Sequence, residues 1–344
     1  MRNRIPGWLR PRRVATVVVL GFLIYIVVQT RLSAPPEFDL LAGPENSTFY
    51  RDAVRFRDIL ARDGVRVNIV ETRGSVDNVS GLLEAEVPTA AFVDAVGAIQ
   101  LEQADSMEAS GEDVEAQEDP LEDLRSLGAI YLQPIWFFVR PQRQSLDLED
   151  LDVTRFGVGP DGSTSRLIAE LIIRNAGEDT ERELVELGGA DEDVDLAEVV
   201  DALVENRVQG ALVVGQPETG LVDRLMRSPG IRAARVRRAE AYALHFNYLE
   251  PIRLPEGGHD LVDNIPQEDI GTLAASTELL VTDLFPPPLA DLLLQAMTEI
   301  YGGASLFTDR NTFPNPDMVS VQLSGSAARF YESGPPLLRT VLPF

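Results

Sequence analysis

From Phe38 onward, short apolar runs alternate with amphipathic stretches along the chain. The runs 38–42 and 65–70 predict two β-strands, and 89–93 predicts a third, shorter strand. Between the first two runs, apolar residues recur at spacings of three and four, as they do on one face of a helix: Phe49, Ala53, Phe56 and Leu60. Gly64 follows where a helix C-terminal cap belongs. This order of elements predicts an α/β architecture of the doubly wound kind.

A second set of α/β units follows a long apolar segment at 128–140, which predicts a buried strand crossing between two lobes. Further strands are predicted at 156–159 and 210–214, and the last hundred residues return to the first lobe through a helix opened by Pro286. The predicted plan is two α/β lobes with a hinged cleft. Residues 36–139 plus 241–344 form lobe 1, and residues 140–240 form lobe 2.

Three short turns share one chemistry: 43–50 (Gly-Pro-Glu-Asn-Ser-Thr-Phe-Tyr), 74–78 (Gly-Ser-Val-Asp-Asn) and 162–166 (Gly-Ser-Thr-Ser-Arg). Each follows an apolar run and precedes a helical pattern, so each places glycine and hydroxyl groups at a helix N-terminus. Unpaired N–H groups and the helix dipole attract anions there. The same residues also cap helices without any ligand. The three turns together predict a small anionic or zwitterionic ligand.

The ligand is expected between the lobes, held by side chains from both. Arg166 is the candidate partner for a ligand carboxylate, and Tyr131 and Trp136 are candidates for an aromatic wall. The full set of predicted ligand-binding residues is Ser47, Thr48, Tyr50, Ser75, Asn78, Tyr131, Ser163, Ser165, Arg166 and Gln216.

Composition excludes several classes of function. The 344 residues carry a formal net charge of -25, which makes nucleic acid an improbable partner. The chain has no cysteine, so disulfides, thiol catalysis and cysteine metal sites are excluded. Only two histidines are present, and the carboxylates do not follow an EF-hand spacing. We therefore expect neither a metal nor another cofactor.

The first thirty-five residues predict a cytoplasmic basic stub, a membrane anchor and a short proline-containing spacer. Five arginines precede a mostly apolar run at 14–28, which as a helix would span roughly 23 Å. A cleaved signal peptide is the alternative, but the site around Ala34 has leucine at the third position back and Pro35 after the bond. We favour an uncleaved signal anchor, with everything after Arg31 exported to the periplasm or the outside of the cytoplasmic membrane.

An acidic stretch interrupts lobe 1 between its third strand and the crossing segment. Residues 102–123 contain ten acidic residues and no basic one. This composition favours a solvated, disordered insertion, with calcium binding or partner docking as the alternative reading.

Several motifs resemble the TAXI family of solute-binding proteins from TRAP transporters, over the chain from about Phe38 to the C-terminus. Residues 46–50 are similar to the family's Gly-Gly-Thr-Tyr-Tyr loop, 74–78 to Gly-Ser-Val-Glu-Asn, and 162–166 to Gly-Ser-Gly-Thr-Arg, with glycines lost from the first and third motifs. Residues 254–258, 264–266, 311–315 and 333–338 resemble the family's membrane-anchored branch, as does 133–136, where relatives usually carry Glu in place of Gln133.

The resemblance implies a type II periplasmic-binding-protein-like fold, a hinged cleft and a TRAP membrane permease as partner. The expected function is therefore that of a membrane-tethered subunit that binds a small carboxylate or amino acid and delivers it to the permease. A tethered sensor or assembly protein that reuses the fold is the second reading. A hydrolase built on Ser163 and His245 is disfavoured, because no Gly-x-Ser-x-Gly elbow surrounds Ser163.

Overall fold

The structure is a computed structural model. It describes residues 36–45, 47–94, 97, 123–140, 146–150, 153–159, 163–175, 183–187, 196–217, 220–246 and 248–335. The predicted N-terminal anchor lies outside these ranges, and so does the acidic stretch apart from its last residue. Within the described ranges, no helix combines the length and the apolar composition needed to cross a membrane.

Ten strands are present in the described part of the chain. In chain order they are β1 Glu37–Ala42, β2 Arg66–Glu71, β3 Thr89–Val93, β4 Leu124–Val139, β5 Arg155–Val158, β6 Glu183–Glu186, β7 Gly210–Val214, β8 Arg232–Ala234, β9 Leu249–Leu254 and β10 Ile270–Thr282. Eight α-helices lie between and after them: α1 Thr48–Leu60, α2 Ser75–Leu83, α3 Thr164–Asn175, α4 Leu196–Val204, α5 Gly220–Arg227, α6 Ala239–His245, α7 Pro287–Tyr301 and α8 Gly325–Ser333.

The strands form one mixed sheet in the order β2-β1-β3-β10-β4-β7-β5-β6, with β8 pairing to β4 and β9 to β10. The strands of the first half-sheet, β2-β1-β3, are parallel, and β5 is parallel to both β6 and β7 in the second half-sheet. The long antiparallel strands β4 and β10 run between the two halves. The α/β architecture and the crossing strand predicted from the sequence are therefore confirmed.

The direction of each half-sheet relative to β4 follows from strand pairing, through β10 for the first half and directly for the second. β3 is antiparallel to β10, which is antiparallel to β4, so β3 runs with β4 and ends level with Ala129. β7 is antiparallel to β4 and ends level with Ile135. The carboxyl ends of the two half-sheets therefore point toward each other across the middle of β4.

Apolar helix faces cover both sides of each half-sheet. Helices α1 and α7 pack on one face of the first half, through the predicted residues Phe49, Ala53, Phe56 and Leu60 and through the buried side of α7. Helix α2 covers the other face. In the second half-sheet, successive residues of β4 alternate between two clusters, because side chains alternate across a strand: Ile135, Phe137 and Val139 face one cluster, and Trp136 and Phe138 face the other.

The helix signals found in the sequence are confirmed. Ser47 caps α1, since its Oγ accepts a hydrogen bond from the Tyr50 N–H at 3.2 Å. Gly64 adopts a left-handed conformation with φ of 73° after the short 3-10 turn that ends this helix. The cluster that contains β5 and α3 also includes Tyr248 and Leu249, which follow the predicted lobe boundary at residue 240.

Candidate functional site

The gap between the two half-sheets is the natural place for a ligand. In open α/β sheets, ligands bind in the crevice outside the carboxyl ends of parallel strands. Here two sets of such ends face each other, with Asp94 following β3 on one side and Gly159 following β5 on the other. The polar groups at these ends form two clusters, which the hydrogen bond between Thr164 and Asp94 connects.

On the first side, Ser75 connects the start of α2 to the end of β3. Its Oγ accepts a hydrogen bond from the Asp94 N–H at 2.9 Å. One turn later in α2, Asn78 is fully buried. Its Nδ2 donates to the Phe92 carbonyl at 2.8 Å, and its Oδ1 accepts from the Thr72 hydroxyl at 2.7 Å. Asn78 thus fastens the 72–75 turn to β3.

On the second side, three hydroxyl groups at the start of α3 lie beside Gly159, the residue after β5. Ser165 Oγ accepts from the Gly159 N–H at 3.0 Å and lies 3.3 Å from Ser163 Oγ. Ser163 Oγ accepts from the Arg166 N–H at 3.3 Å, as an N-cap side chain does. A Cβ at Gly159 would lie 2.6 Å from Ser163 Oγ, so a larger residue at this position would displace the serine side chains.

A hydrogen bond between the two sides closes the gap at this point. The Thr164 hydroxyl, at the first residue of α3, donates to Asp94 Oδ2 at 2.8 Å. Both residues are buried, and Asp94 is only 7 % exposed. The predicted site residues Ser75, Ser163 and Ser165 are therefore brought together through Asp94 and Thr164. Sequence reasoning missed Asp94, although an acidic residue directly after a fully buried strand was a usable signal.

Tyr131 and Gln216 line a cavity of about 210 Å³ beside the crossing strands. The walls of the cavity come from β4, the residue Gln216 after β7, the last turn of α7 and the loop that follows it: Ile130, Tyr131, Leu132, Gln216, Ile300, Tyr301, Gly303, Ala304, Ser305, Phe307, Thr308 and Phe313. Gln216 Nε2 donates to the Leu132 carbonyl at 2.7 Å, and the rings of Tyr131 and Tyr301 are 5.5 Å apart. The volume of this cavity is below the roughly 300–1,000 Å³ that is typical of pockets for drug-sized ligands. The cavity therefore suits a metabolite of a few heavy atoms.

The cavity wall at Tyr301 lies against a buried acidic residue, Asp52, which affects the pKa of the Tyr301 hydroxyl. Burial raises the pKa of the Asp52 carboxyl, against the opposing effects of Tyr301 and Arg55. Burial and the nearby Asp52 carboxylate raise the pKa of the Tyr301 hydroxyl well above its ordinary value. Arg55 bonds Asp52 at 3.0 Å and lies 5.8 Å from the centre of the Tyr301 ring. The wall is therefore aromatic, with a buried carboxyl group and an arginine behind the Tyr301 ring.

The other predicted residues have local partners. Thr48 accepts a hydrogen bond from Arg51 at 2.8 Å, and Tyr50 packs half-buried against the core of the first half-sheet. Arg166 forms an ion pair with Glu170 of the same helix at 3.3 Å. Trp136 is fully buried, and its Nε1 donates to the Gly215 carbonyl. No contact described for these four residues or for Ser47 crosses the gap. Ligand binding by the whole predicted set of residues stays a prediction.

Metal binding finds no support within the described ranges, where no three or more His, Asp or Glu residues are grouped to hold an ion. His259 Nε2 lies 2.6 Å from Asp223 Oδ1, at the far side of the second half-sheet from the serines of α3. Hydrogen bonding to His259 is the main reason that the pKa of Asp223 is lowered.

Two half-sheets with opposed carboxyl ends, crossed by two long strands, are an architecture of the periplasmic-binding-protein-like kind. The sequence matches the NMT1-like family over residues 40–304, and the chain belongs to this periplasmic-binding-protein-like family. No curated protein sequence matches it.

Solved structures with similar backbones are distant in sequence. XAC2383 from Xanthomonas citri, bound to ATP, is 12% identical with a TM-score of 0.49, over 87% of this chain and 99% of that one. MatC from Rhodopseudomonas palustris, with bound malate, is 14% identical with a TM-score of 0.42, over 79% and 85%. An ancestral arginine-binding protein bound to arginine is 12% identical with a TM-score of 0.41, over 78% and 93%.

Proposed function

We propose that the protein is a membrane-tethered, extracytoplasmic solute-binding subunit of a TRAP-type transporter, of the TAXI kind. It takes up a small organic anion or amino acid between its lobes and delivers it to a membrane permease. No chemistry is performed on the ligand.

The observation that carries the binding role is the convergence of buried polar groups across the gap. Ser75 and Asp94 come from one half-sheet and Thr164 from the other, and the Thr164 hydroxyl donates a hydrogen bond to Asp94 across the gap. Such groups are hydrogen-bonded when the gap is closed and become available to water or a ligand when it opens. A ligand that contacts both sides therefore favours the closed arrangement, which is a shift between populations of conformations.

The transport role rests on different support. The motifs at 74–78, 162–166 and 254–258 resemble the TAXI family, and the arginine-flanked apolar run at 14–28 supports a tether that keeps the binding domain beside the permease. In this proposal the permease recognises the closed form, and the acidic domain faces the periplasm or the cell exterior.

The binding role is tested by thermal unfolding of the full chain against a panel of amino acids and carboxylates. A true ligand at several hundred times its Kd stabilises the folded state by about 3–4 kcal/mol. Ser75→Ala and Ser163→Ala should reduce this shift, because both side chains organise the closed gap. Ser80→Ala is the matched control: it changes an exposed serine of α2 and should leave the shift intact.

The tether and the transport role need separate measurements. Alkaline washing of membranes should leave the full chain in the membrane fraction, and its recovery in the wash would contradict the tether. Uptake of the identified ligand into vesicles containing the cognate permease should require this protein. Tight binding without any effect on uptake would favour the sensor role instead.

A further inference from the structure

The cavity of about 210 Å³ beside β4 is separate from the gap between the half-sheets. Among the described residues, Ser75, Asp94 and the hydroxyl residues at the start of α3 meet in the gap, and none of them lines this cavity. One wall is Phe307, whose ring centre lies 6.4 Å from that of Trp136. Trp136 lies on the side of β4 that faces away from the cluster containing α3. The cavity is therefore a space apart from the hydroxyl groups of α3.

The cavity wall offers no opposite charge to an ionised ligand. No Asp, Glu, His or Arg is among the described residues that line it. Asp52 and Arg55 bond each other at 3.0 Å behind the Tyr301 ring and do not line the cavity. The hydroxyl groups of Ser305 and Thr308, which do line it, lie 2.6 Å apart. Because a buried charge without a partner of opposite sign is strongly disfavoured, the cavity suits an uncharged ligand.

The shape of the wall favours an aromatic ring. Four aromatic side chains contribute to it: Tyr131, Tyr301, Phe307 and Phe313. The rings of Tyr131 and Tyr301 are tilted by 54°, so they present both a face and an edge, the two surfaces against which aromatic rings pack. An apolar cavity of roughly 150 Å³ engineered into another protein binds benzene. A cavity of about 210 Å³ therefore has room for one ring with a small substituent.

The loop after α7 brings the wall together from both halves of the molecule. Tyr301 ends α7 and packs against the core of the first half-sheet, whereas Phe307 of the loop packs against the cluster of the second. Between them, the Ser305 N–H donates to the Thr308 carbonyl at 2.9 Å and gives the loop a defined turn. The cavity thus has a wall that the protein itself holds in place.

We propose that this cavity is a second binding site, which takes a small uncharged aromatic compound. The site goes beyond the proposed function, which places an amino acid or a carboxylate in the gap. An amino acid or a carboxylate would bring an ionised group into a wall without a partner for it. The two sites therefore differ in the chemistry of the ligand that each accepts.

Calorimetric titration of the full chain with ring compounds of matched shape tests the proposal. Benzamide, benzoate and benzamidinium share one ring and one planar substituent but are neutral, negative and positive. Benzamide should bind with a Kd of about 1 mM or below, which is within reach of a ligand of this size. Benzoate and benzamidinium should each bind at least about tenfold more weakly. Phenol and benzyl alcohol are further neutral probes, and each titration is corrected with a blank of the same detergent.

Variants that fill the cavity locate the binding. Ala304 lines the cavity from the exposed loop, so Ala304→Phe can place a ring there without changing the buried core. Ile300→Phe enlarges a second wall residue, at the end of α7. A loss of benzamide affinity of at least about tenfold in either variant supports the site. Ala241→Phe makes the same change as Ala304→Phe on the exposed surface of α6 and should leave benzamide binding unchanged.

The outcomes separate this proposal from the proposed function. Failure of all three neutral compounds to bind wild-type protein overturns the second site, and so does binding of benzoate or benzamidinium as tightly as benzamide; neither result requires a variant to fold. Unchanged benzamide affinity in both Ala304→Phe and Ile300→Phe overturns it as well. The proposed function fails on a different result, the absence of any thermal shift with amino acids and carboxylates.

Discussion

Replacing Asn78 with alanine separates a structural role from a role in ligand contact. The sequence placed Asn78 among the ligand-binding residues, whereas the structure buries it fully and bonds both of its amide atoms. If these bonds hold the 72–75 turn against β3, the variant should lose stability whether or not ligand is present. If the side chain instead served the ligand, binding would fall and the free energy of unfolding would change little.

The expected loss of stability follows from the hydrogen-bond partners that Asn78→Ala leaves behind. Alanine removes the donor to the Phe92 carbonyl, and a buried group left without a partner costs about 1–3 kcal/mol. Thr72 keeps other partners, because its Oγ still bonds the Ala42 carbonyl and accepts from the Gly74 N–H at 3.2 Å. The space vacated by the amide adds a cavity cost, so the total is about 2–4 kcal/mol.

The assay is urea unfolding of the full chain without ligand, followed by fluorescence. Asn68→Ala is the matched control, since Asn68 is exposed on β2 and bonds Asp39 at 2.9 Å where water can replace it. The control should change the free energy of unfolding by less than about 0.5 kcal/mol. An equally small change for Asn78→Ala would refute the reasoning.

Two further predictions concern the gap and the buried core. Gly159→Ala should destabilise the chain by about 1–3 kcal/mol and reduce ligand binding, because the added Cβ would lie 2.6 Å from Ser163 Oγ. Gly271→Ala is the control, since no atom lies within 4 Å of the Cβ added there. Equal effects of the two substitutions would contradict this account of the gap. Burial raises the pKa of Glu278 above 4.5, so the folded state keeps a proton that the unfolded chain releases. The neutral side chain favours the folded state at low pH, and this contribution to stability is lost as pH rises through the folded-state pKa. Glu278→Gln should therefore gain stability relative to wild type as pH rises above 4.5, whereas the same change at exposed Glu84 is the control. Parallel pH profiles of urea unfolding for Glu278→Gln and wild type would contradict this prediction.

The local elements were predictable because their signals are local. The spacing of Phe49, Ala53, Phe56 and Leu60 gave α1 its buried face, and Gly64 marked its end. The apolar segment at 128–140 predicted a buried crossing strand, which runs as β4 from Leu124 to Val139. Each of these patterns depends on residues within a few positions of one another.

The site was predicted only in part. Tyr131 and Gln216, 85 positions apart in the chain, line one cavity, and their meeting depends on how β7 pairs with β4. Ser75 and Ser163 were recognised from turns that carry hydroxyls, but those turns equally predict helix caps, and Ser47 and Ser163 have that role in the structure. Local composition alone does not separate a cap from a ligand contact, because both use the same oxygen atom.

The amino-acid sequence by itself determined an acidic, cysteine-free chain of alternating strands and helices, with hydroxyl-bearing turns where helices begin. Only the tertiary structure decided that the two half-sheets oppose their carboxyl ends and that Asp94 meets Thr164 between them. The reason is physical: strand direction and register are set by hydrogen bonds between segments far apart in the chain, and these bonds leave no periodic trace in either segment.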